Sequence, residues 1–458
     1  MRKYLPNTHL GTCAALAASM LIGSHAAVGS PIAAAVLARY LAVDSPATTR
    51  QVTSCADDGS EGTLRATIAL AGGGDTIDLS GLPASDPACT SSTITLSQGE
   101  IAIPHNLTLL GPSDATLLIA ASGANRVLNS TSTDLPSAYL RVISLTIARG
   151  ANPTGYGGCI YGRGEVLLDH ATVTDCAASD YSEYNNPAFA FGGGIFANSV
   201  TMTNGSVVSG NRADYSGVYD GYTYGGGIYA RTNFTCVDST ISNNSAINAG
   251  GGVFVAHGNI TLTRCTLDLN TANVGGGVVA YGPVPASQLE IEQSTISGNA
   301  ASRGGGVYTR LPATISNSTI AFNRFGGGIQ SSANVVMVST IVARNHNNSG
   351  SNADIALASG KTLTGSKNLV MSSASFPPGV IVSESDPLLA PLANHGGVTR
   401  THALLPGSPA LNTGANTKAV ATDQRGAGFA REVPTGMPDI GAYERQLNDD
   451  EIFGNGFE

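Results

Sequence analysis

A glycine-rich element recurs seven times through the middle of this 458-residue chain, and Ile or Val follows each copy. The copies lie at residues 157–159, 192–194, 225–227, 250–252, 275–277, 304–306 and 326–328. The steps between them are 35, 33, 25, 25, 29 and 22 residues. Because the shortest steps match one coil of a solenoid, the repeat predicts an array of stacked coils.

A second element, of the type Ser-Thr-Ile-Ser, alternates with the glycines and predicts a strand. Copies begin at Ser239, Ser294, Ser318 and Ser339, with diverged copies at Ala171, Ser206 and Cys265. β-Branched segments bounded by Gly and Asn favour strands, and the apolar period of helical repeats is not seen. An Asn usually follows five residues after the start of the element: Asn211, Asn244, Asn270, Asn299 and Asn323.

Stacking of these strands predicts an all-β fold, a parallel β-helix. Equivalent residues would then lie ~4.8 Å apart in columns. The apolar column of the second element is expected to fill the interior: Val173, Val208, Ile241, Leu267, Ile296, Ile320 and Ile341. Stacked Asn amides would form a turn, and glycine would permit a tight corner. A β-propeller is the alternative, although its blades need about 40–50 residues and four strands each.

The N-terminus has the order of a secretory signal peptide, predicted at residues 1–26. Arg2 and Lys3 give a positive start, an apolar stretch runs over 10–22, and small residues precede Ala27. A buried or membrane helix is the alternative, but breakers interrupt every 20-residue span. Residues 27–50 are interpreted as a leader or linker.

Six cysteines remain after the predicted signal peptide, and an even number in an exported chain favours disulfides. The sequence alone does not fix their connectivity; we favour sequential pairs, Cys55–Cys89, Cys159–Cys176 and Cys236–Cys265. No Cys-x-x-Cys spacing suggests zinc. Cys159 replaces a corner glycine and Cys176 occupies an Asn-column position, so a bridge between them would pin the first regular coils.

The amino-acid composition limits the classes of partner that the protein is expected to bind. The net charge is −9 and only 12% of residues are charged. Phosphate binding needs a basic face, so nucleic acid is not expected. An apolar content of 42% argues against a disordered polyelectrolyte, and the mature chain is expected to have no transmembrane span. No cofactor is indicated, apart from Ca²⁺ as a candidate for the acidic loops described below.

Motifs at both ends resemble known bacterial proteins. Residues 52–59 and 62–65 resemble the N-terminal cap of right-handed β-helix proteins, and 62–69 is the best short-helix candidate. The repeats are similar to those of polymorphic outer-membrane proteins. The segment 385–410, together with Asp-Gln-Arg-Gly at 423–426 and Asp-Ile-Gly-Ala-Tyr-Glu at 439–444, closely resembles the choice-of-anchor Q domain.

This resemblance implies a right-handed parallel β-helix that is exported to the outer surface of a Gram-negative bacterium. It also predicts how the chain after the leader is divided into regions. A cap and irregular coils would occupy 51–150, regular coils 151–345, the last coils and the choice-of-anchor Q-like region 346–445, and a sorting-like tail 446–458.

Two adjacent coils are enlarged at the same point, at residues 180–186 and 214–222. Loops on a rigid scaffold often carry function. Tyrosine can contact sugars and carboxylates can bind Ca²⁺. The candidate ligand-binding residues here are Tyr181, Tyr184, Tyr215, Tyr219 and Tyr222. The candidate catalytic set is Asp180, Glu183, Asp214, Asp220 and Arg212. The alternative is a Tyr-rich flap that only covers the coils.

A second candidate surface follows the glycines. Its first column contains Tyr161, Phe196, Tyr229, Phe254 and Tyr308, and its second contains Arg163, Asn198, Arg231 and Arg310. Strand alternation places both columns on one side. We expect that side to face outward, as an aromatic–guanidinium stripe suited to an acidic glycan, with Arg231 and Arg310 as binding candidates. If it faced inward, the arginines would pose a burial problem.

Two functions are compatible with these patterns. The first is a noncatalytic surface protein that adheres to a polysaccharide or another cell-surface component. The alternative is a polysaccharide lyase or glycoside hydrolase on the same scaffold. Lyase chemistry would need carboxylates for Ca²⁺ and a nearby base, and hydrolysis would need two carboxylates about 5–10 Å apart. No catalytic motif supports the enzyme, and a shared fold does not establish activity.

Overall fold

The computed structural model describes residues 47–83, 86, 89–134, 137–182, 187–217, 221–282, 286–351, 353–372, 376–434 and 436–447. The predicted signal peptide, most of the leader and nearly all of the predicted tail lie outside these residues. Among the helices of the described part, none is both long and apolar enough to cross a membrane.

Parallel strands in three long ladders dominate the molecule, so the predicted parallel β-helix is confirmed. Ladder 1 contains Ile101–Ile103, Leu128–Ser130, the first part of Ile160–Asp169 and of Ile195–Thr203, Ile228–Ala230, Val253–Val255, Val278–Ala280, Val307–Thr309, Ile329–Ser331 and Ile355–Leu357. Ladder 2 contains Thr49–Gln51, Thr76–Asp78, Leu107–Leu110, Tyr139–Ile143, the second part of the two long strands, Phe234–Val237, Ile260–Thr263, Leu289–Glu292, Ala313–Ser316, Val335–Val338 and Leu363–Ser366. Ladder 3 contains Thr93–Leu96, Leu118–Ala121, Thr146–Ala148, Thr172–Thr174, Val207–Ser209, Thr240–Ser242, Thr266–Asp268, Thr295–Ser297, Thr319–Ala321, Ile341–Ala343, Asn368–Val370 and Ile381–Ser383.

Each regular coil passes through ladder 1, ladder 2 and ladder 3 in turn. Successive side chains of a strand alternate between the two faces. The inward faces of all three ladders meet in one apolar core that runs the length of the solenoid. Ile228, Phe234 and Ile241 represent the three ladders within one coil, and none of them is exposed.

The Asn amides stack from coil to coil, as predicted, and the column is buried. In each coil, the backbone N and the Nδ2 of the Asn both donate to the Oδ1 of the Asn in the next coil. The Nδ2 also donates to a ladder 3 carbonyl of the preceding coil. The column begins beside Cys176, whose backbone N donates to Asn211. It ends where Asn345 donates to the carboxylate of Asp354.

The interior column of ladder 3 departs from the prediction at its last regular coil. Ile320 pairs with Val342, so Val342 and not Ile341 enters the core. The reason is one extra residue before the Asn, which also moves Asn345 into the Asn column. Because a one-residue shift exchanges the faces of a strand, Ile341 points outward and packs against the C-terminal region.

A short helix and a disulfide close the N-terminal end. The helix Leu64–Ala69 begins at Thr63, whose side chain accepts a hydrogen bond from the backbone N of Ala66. A 3-10 turn covers Thr90–Ser92. The three cysteine pairs are those predicted, with Cα–Cα distances of 5.1, 5.5 and 6.3 Å in chain order. A bridge restricts the unfolded chain. Cys159–Cys176 joins the two ends of one coil, and Cys236–Cys265 joins neighbouring coils.

The C-terminal region from residue 384 lies on the outer face of ladder 3. Outward residues of this ladder are half-exposed in Thr172–Thr174 but buried from Thr266–Asp268 to Asn368–Val370. Thr266 Oγ1 donates to the carbonyl of Arg400 at 2.6 Å, and Thr295 Oγ1 donates to Gln424 Oε1 at 2.6 Å. The C-terminal region therefore covers one side of the solenoid.

The corner glycines make a testable prediction. A Cβ on Gly226 would lie 2.3 Å from the carbonyl carbon of Ser245 and 2.5 Å from the carbonyl oxygen of Gly251. Backbone cannot move as a side chain can, so we expect Gly226→Ala to destabilise the protein by about 1–3 kcal/mol. Urea unfolding would measure the change. Gly123→Ala is the control, since open space surrounds that position; equal midpoints for the two variants would refute the steric account.

Candidate functional site

The two enlarged coils form two small lateral sheets. The four-stranded lateral sheet contains Ala151–Asn152, Ala177–Ser182, Arg212–Gly217 and Ser245–Ala246, and the two-stranded lateral sheet contains Ala188–Phe191 and Gly221–Tyr224. Small residues allow the sheets to pack, because Ala190 and Ala213 belong to one buried cluster. The ring of Tyr215 lies against Gly221, where a Cβ would be only 2.6 Å from the ring.

The predicted loop residues fall on different faces of these sheets. Asp180 is in register with Tyr215, and Ser179 is in register with Asp214. Because neighbours on a strand alternate, Asp180 and Asp214 lie on opposite faces. The carboxylate of Asp180 accepts from the backbone N of Phe189 at 2.8 Å. The described part of the catalytic set is therefore not one cluster.

The remaining loop residues divide in the same way. Asp214 pairs with Arg212 at 2.8 Å on the face that also carries Tyr181, and that tyrosine is 58% exposed. Tyr215 packs between the two lateral sheets, whereas Tyr222 lies on the far side of the two-stranded sheet and is 46% exposed. Glu183, Tyr184, Tyr219 and Asp220 lie outside the described residues.

The aromatic column of ladder 1 faces outward, as predicted. Tyr161, Phe196, Tyr229 and Phe254 stack in chain order, with centroid separations of 5.4, 5.1 and 5.4 Å. Each ring follows an Ile or Val that belongs to the core. The outward position therefore follows from strand alternation.

The two-stranded lateral sheet extends this column sideways. Phe191 stacks on Tyr229 at 5.0 Å, and Tyr224 stacks on Phe254 at 4.6 Å. These contacts leave Phe254 only 3% exposed. The lateral sheets therefore act in part as a Tyr-rich flap that covers the coils. We call the combined surface the aromatic face: Tyr156, Tyr161, Phe189, Phe191, Phe196, Tyr222, Tyr224, Tyr229, Phe254 and Tyr281.

Ring stacking decides what the aromatic face presents to solvent. The stacked pairs named above have interplanar angles of 8 to 14°, so these inner rings cover one another's faces. Burial raises the pKa of Tyr156, Tyr224 and Tyr229. These hydroxyls are therefore neutral at physiological pH and can both donate and accept hydrogen bonds.

Arginines border the aromatic face. The guanidinium of Arg310 lies 4.1 Å from the ring centroid of Tyr281, and hydrogen bonding to Tyr308 raises the pKa of Arg310. Arg231 is exposed and acts electrostatically on Tyr229. Arg163 is exposed at the irregularity where ladder 1 passes into ladder 2. Two of the four predicted second-column positions, Arg231 and Arg310, thus place a guanidinium near an aromatic ring.

The sequence reasoning missed the aromatic column immediately before the glycines. Tyr156, Phe191 and Tyr224 each directly precede a glycine element, and bridges align them from coil to coil. The same alignment continues through Ala249 and Val274 to Arg303, which is exposed. The signal was present, because the residue before each glycine element is as regularly spaced as the residue after it.

The acidic loops are the candidate site for Ca²⁺. Within the described ranges, no group of three or more His, Cys, Asp or Glu side chains is placed to hold a metal ion. The candidate Ca²⁺ ligands Glu183 and Asp220 lie outside those ranges.

The fold and the site define a class: a disulfide-linked parallel β-helix with a lateral aromatic face. No protein-family model, curated protein or solved structure matches the chain. Its function must therefore be argued from its own geometry.

Proposed function

We propose that this protein is an exported, noncatalytic β-helix that adheres to polysaccharide through its aromatic face. The observation that carries the proposal is the continuity of that face across neighbouring coils. Tyr222 and Tyr281 are its most exposed rings, at 46% and 43%. Large exposed apolar areas are uncommon on soluble proteins and often mark binding sites.

Carbohydrate suits the chemistry of this surface. Sugars combine apolar C–H groups with a high density of hydroxyls, and tyrosine supplies an apolar body with a polar tip. The rings are held on strands that are hydrogen-bonded on both sides, so little side-chain freedom remains to be lost on binding. A flat, rigid and regularly spaced surface fits an extended polymer better than a small molecule.

Export and surface attachment belong to the same proposal. Three disulfides are typical of proteins outside the reducing cytosol. The signal-peptide pattern and the resemblance to the choice-of-anchor Q domain support localisation at the outer surface of a Gram-negative bacterium. Under this proposal the solenoid holds the aromatic face away from the cell.

The enzyme alternative gains no support from the described residues. Asp180 and Asp214 occupy opposite faces of the four-stranded lateral sheet, and each already has a partner. A pair of carboxylates that act on one glycosidic bond must flank it. We therefore base the proposal on binding alone.

The test compares two exposed tyrosines of the aromatic face with one exposed tyrosine on the opposite face of the lateral sheets. We expect Tyr222→Ala combined with Tyr281→Ala to weaken polysaccharide binding roughly tenfold or more, as the loss of about 1–2 kcal/mol of aromatic contact predicts. Tyr181→Ala is the matched control, since Tyr181 is exposed but lies on the other face. Co-elution of the full chain with a panel of neutral and acidic polysaccharides, with and without Ca²⁺, would measure binding.

Three results would contradict the proposal: no binding across the panel, equal effects of the double variant and the control, or shortening of the polymer. Shortening would show an enzyme, and we would then locate the activity by repeating the assay with Asp214→Ala.

A further inference from the structure

We propose that the preferred ligand of the aromatic face is an acidic polysaccharide that lies along the solenoid axis. This inference rests on the proposed function and specifies its ligand. The anionic groups of the polymer would meet four exposed arginines near the ends of ladder 1 strands, which we call the arginine row: Arg163, Arg231, Arg303 and Arg310.

Charge distribution is the first argument. The protein is acidic overall, with a net charge of −9, yet no member of the arginine row forms an ion pair with any described residue. Arginines elsewhere on the coils commonly do, such as Arg212 with Asp214 and Arg264 with Asp238. Guanidinium groups held near one another without acidic partners attract a polyanion.

The surroundings of the row strengthen this argument. The outward positions of ladder 1 from Tyr161 to Gln330 hold aromatic or neutral side chains. The positions two residues further along are Arg163, Asn198, Arg231, Ala256, Tyr281, Arg310 and Ser332. No carboxylate at these positions would repel an anionic ligand.

Ring orientation points to the same ligand class. An aromatic ring carries negative charge density on its face and positive density at its edge. The inner rings cover one another's faces. The ring edges and tyrosine hydroxyls that a ligand can reach would therefore favour anionic oxygens.

The same geometry separates a polysaccharide from a single-stranded nucleic acid. Nucleic acid binding of this type depends on bases that stack on free aromatic faces. Here the inner rings cover one another's faces, and the guanidinium of Arg310 lies over the ring of Tyr281. A polysaccharide needs only edges, hydroxyls and guanidinium groups.

The spacing of the row sets the direction of the polymer. Arg231 lies two coils after Arg163, and Arg310 lies three coils after Arg231. With strands ~4.8 Å apart, the separations along the axis are about 10 and 14 Å. One rung of the ladder is close to the length of one sugar residue in an extended chain. A linear polymer along the axis would therefore place successive residues at a constant offset from the coils.

The test uses the full chain with paired polymers: polygalacturonate against its carboxyl-reduced form, and chondroitin sulfate against desulfated, carboxyl-reduced chondroitin. We expect at least one acidic polymer to bind roughly tenfold or more tightly than its neutral counterpart. The triple variant Arg231→Gln, Arg303→Gln, Arg310→Gln should abolish that preference. Raising the salt from about 50 to about 500 mM should weaken acidic binding. Arg212→Gln is the control, with its side chain 61% exposed on the other side of the lateral sheets.

The outcomes distinguish failure of the acidic-ligand inference from failure of the proposed polysaccharide adhesion. Equal binding of acidic and neutral polymers would overturn the acidic ligand and leave polysaccharide adhesion standing. Binding to none of the four polymers would overturn both. Single-stranded DNA serves as a further probe, and tighter binding to DNA with the same dependence on the arginine row would overturn the polysaccharide assignment.

Discussion

Replacing Asn270 with Ala is expected to lower the stability of the protein by roughly 2–6 kcal/mol. Asn270 is fully buried, and its Oδ1 accepts from the backbone N of Asn244 at 3.0 Å. Its Nδ2 donates to the carbonyl of Ile241 and to Asn299 Oδ1, each at 2.9 Å. The variant leaves two buried backbone groups without these partners, and each such loss costs about 1–3 kcal/mol.

The measurement is urea unfolding followed by circular dichroism. Asn273→Ala is the matched control, because Asn273 lies three residues further along the same coil and is exposed. We expect the control midpoint to stay close to that of the parent protein. A midpoint for Asn270→Ala that equals the control would show that the Asn column contributes little to stability.

The Asn column also shows why most of the coil could be predicted. Parallel stacking turns each repeated residue into a column, so spacing alone identified the five predicted Asn positions and the glycine corners. It failed at Ile341 because one extra residue precedes Asn345. A count from the start of the element cannot detect such an insertion, whereas alignment on the Asn would have done so.

The candidate site was predicted in part, for a different reason. The sequence identified the enlarged coils and the outward column that contains Tyr229. It did not reveal that the enlarged segments form strands, so it could not place Asp180 and Asp214 on opposite faces. Register between insertions of unequal length depends on which backbone groups pair, and no repeat marks that pairing.

The docking of the C-terminal region was hidden for a related reason. Its contacts with ladder 3 span more than a hundred residues of sequence, as between Thr295 and Gln424. One signal did exist. The outward positions of ladder 3 change from Thr172 and Thr174 to Ile341 and Ala343, and an apolar outward face needs a cover.

Within the C-terminal region lies a buried charge cluster in which carboxyl groups outnumber guanidinium groups. Its members are Asp423, Arg425, Arg431, Asp439 and Glu444, each no more than 4% exposed. Asp423 pairs with Arg425 at 2.8 Å. Glu444 Oε2 accepts from the backbone N of Asp439 at 2.8 Å and lies 3.8 Å from Arg431 Nε.

Burial raises the pKa of Glu444 to about 8, and the neighbouring charge of Asp439 acts in the same direction. Burial likewise raises the pKa of Asp423 and of Asp439. A carboxyl group whose pKa is raised by folding stabilises the native state below its unfolded pKa. That contribution is lost as the pH rises through the folded pKa.

We therefore expect the protein to lose on the order of 3–5 kcal/mol of stability between pH 4 and pH 9 through Glu444. The C-terminal region should become more sensitive to protease over the same interval. Urea midpoints and limited proteolysis across this range would measure both effects. Glu444→Gln cannot ionise, so its profile should be flatter and the variant should exceed the parent protein in stability at pH 9. Glu432→Gln makes the same charge change at an exposed position in the same region and should retain the parent profile. If Glu444→Gln instead followed the parent at every pH, or were less stable at pH 9, the carboxyl group would have to be ionised in the folded protein and the two guanidinium groups would be its partners.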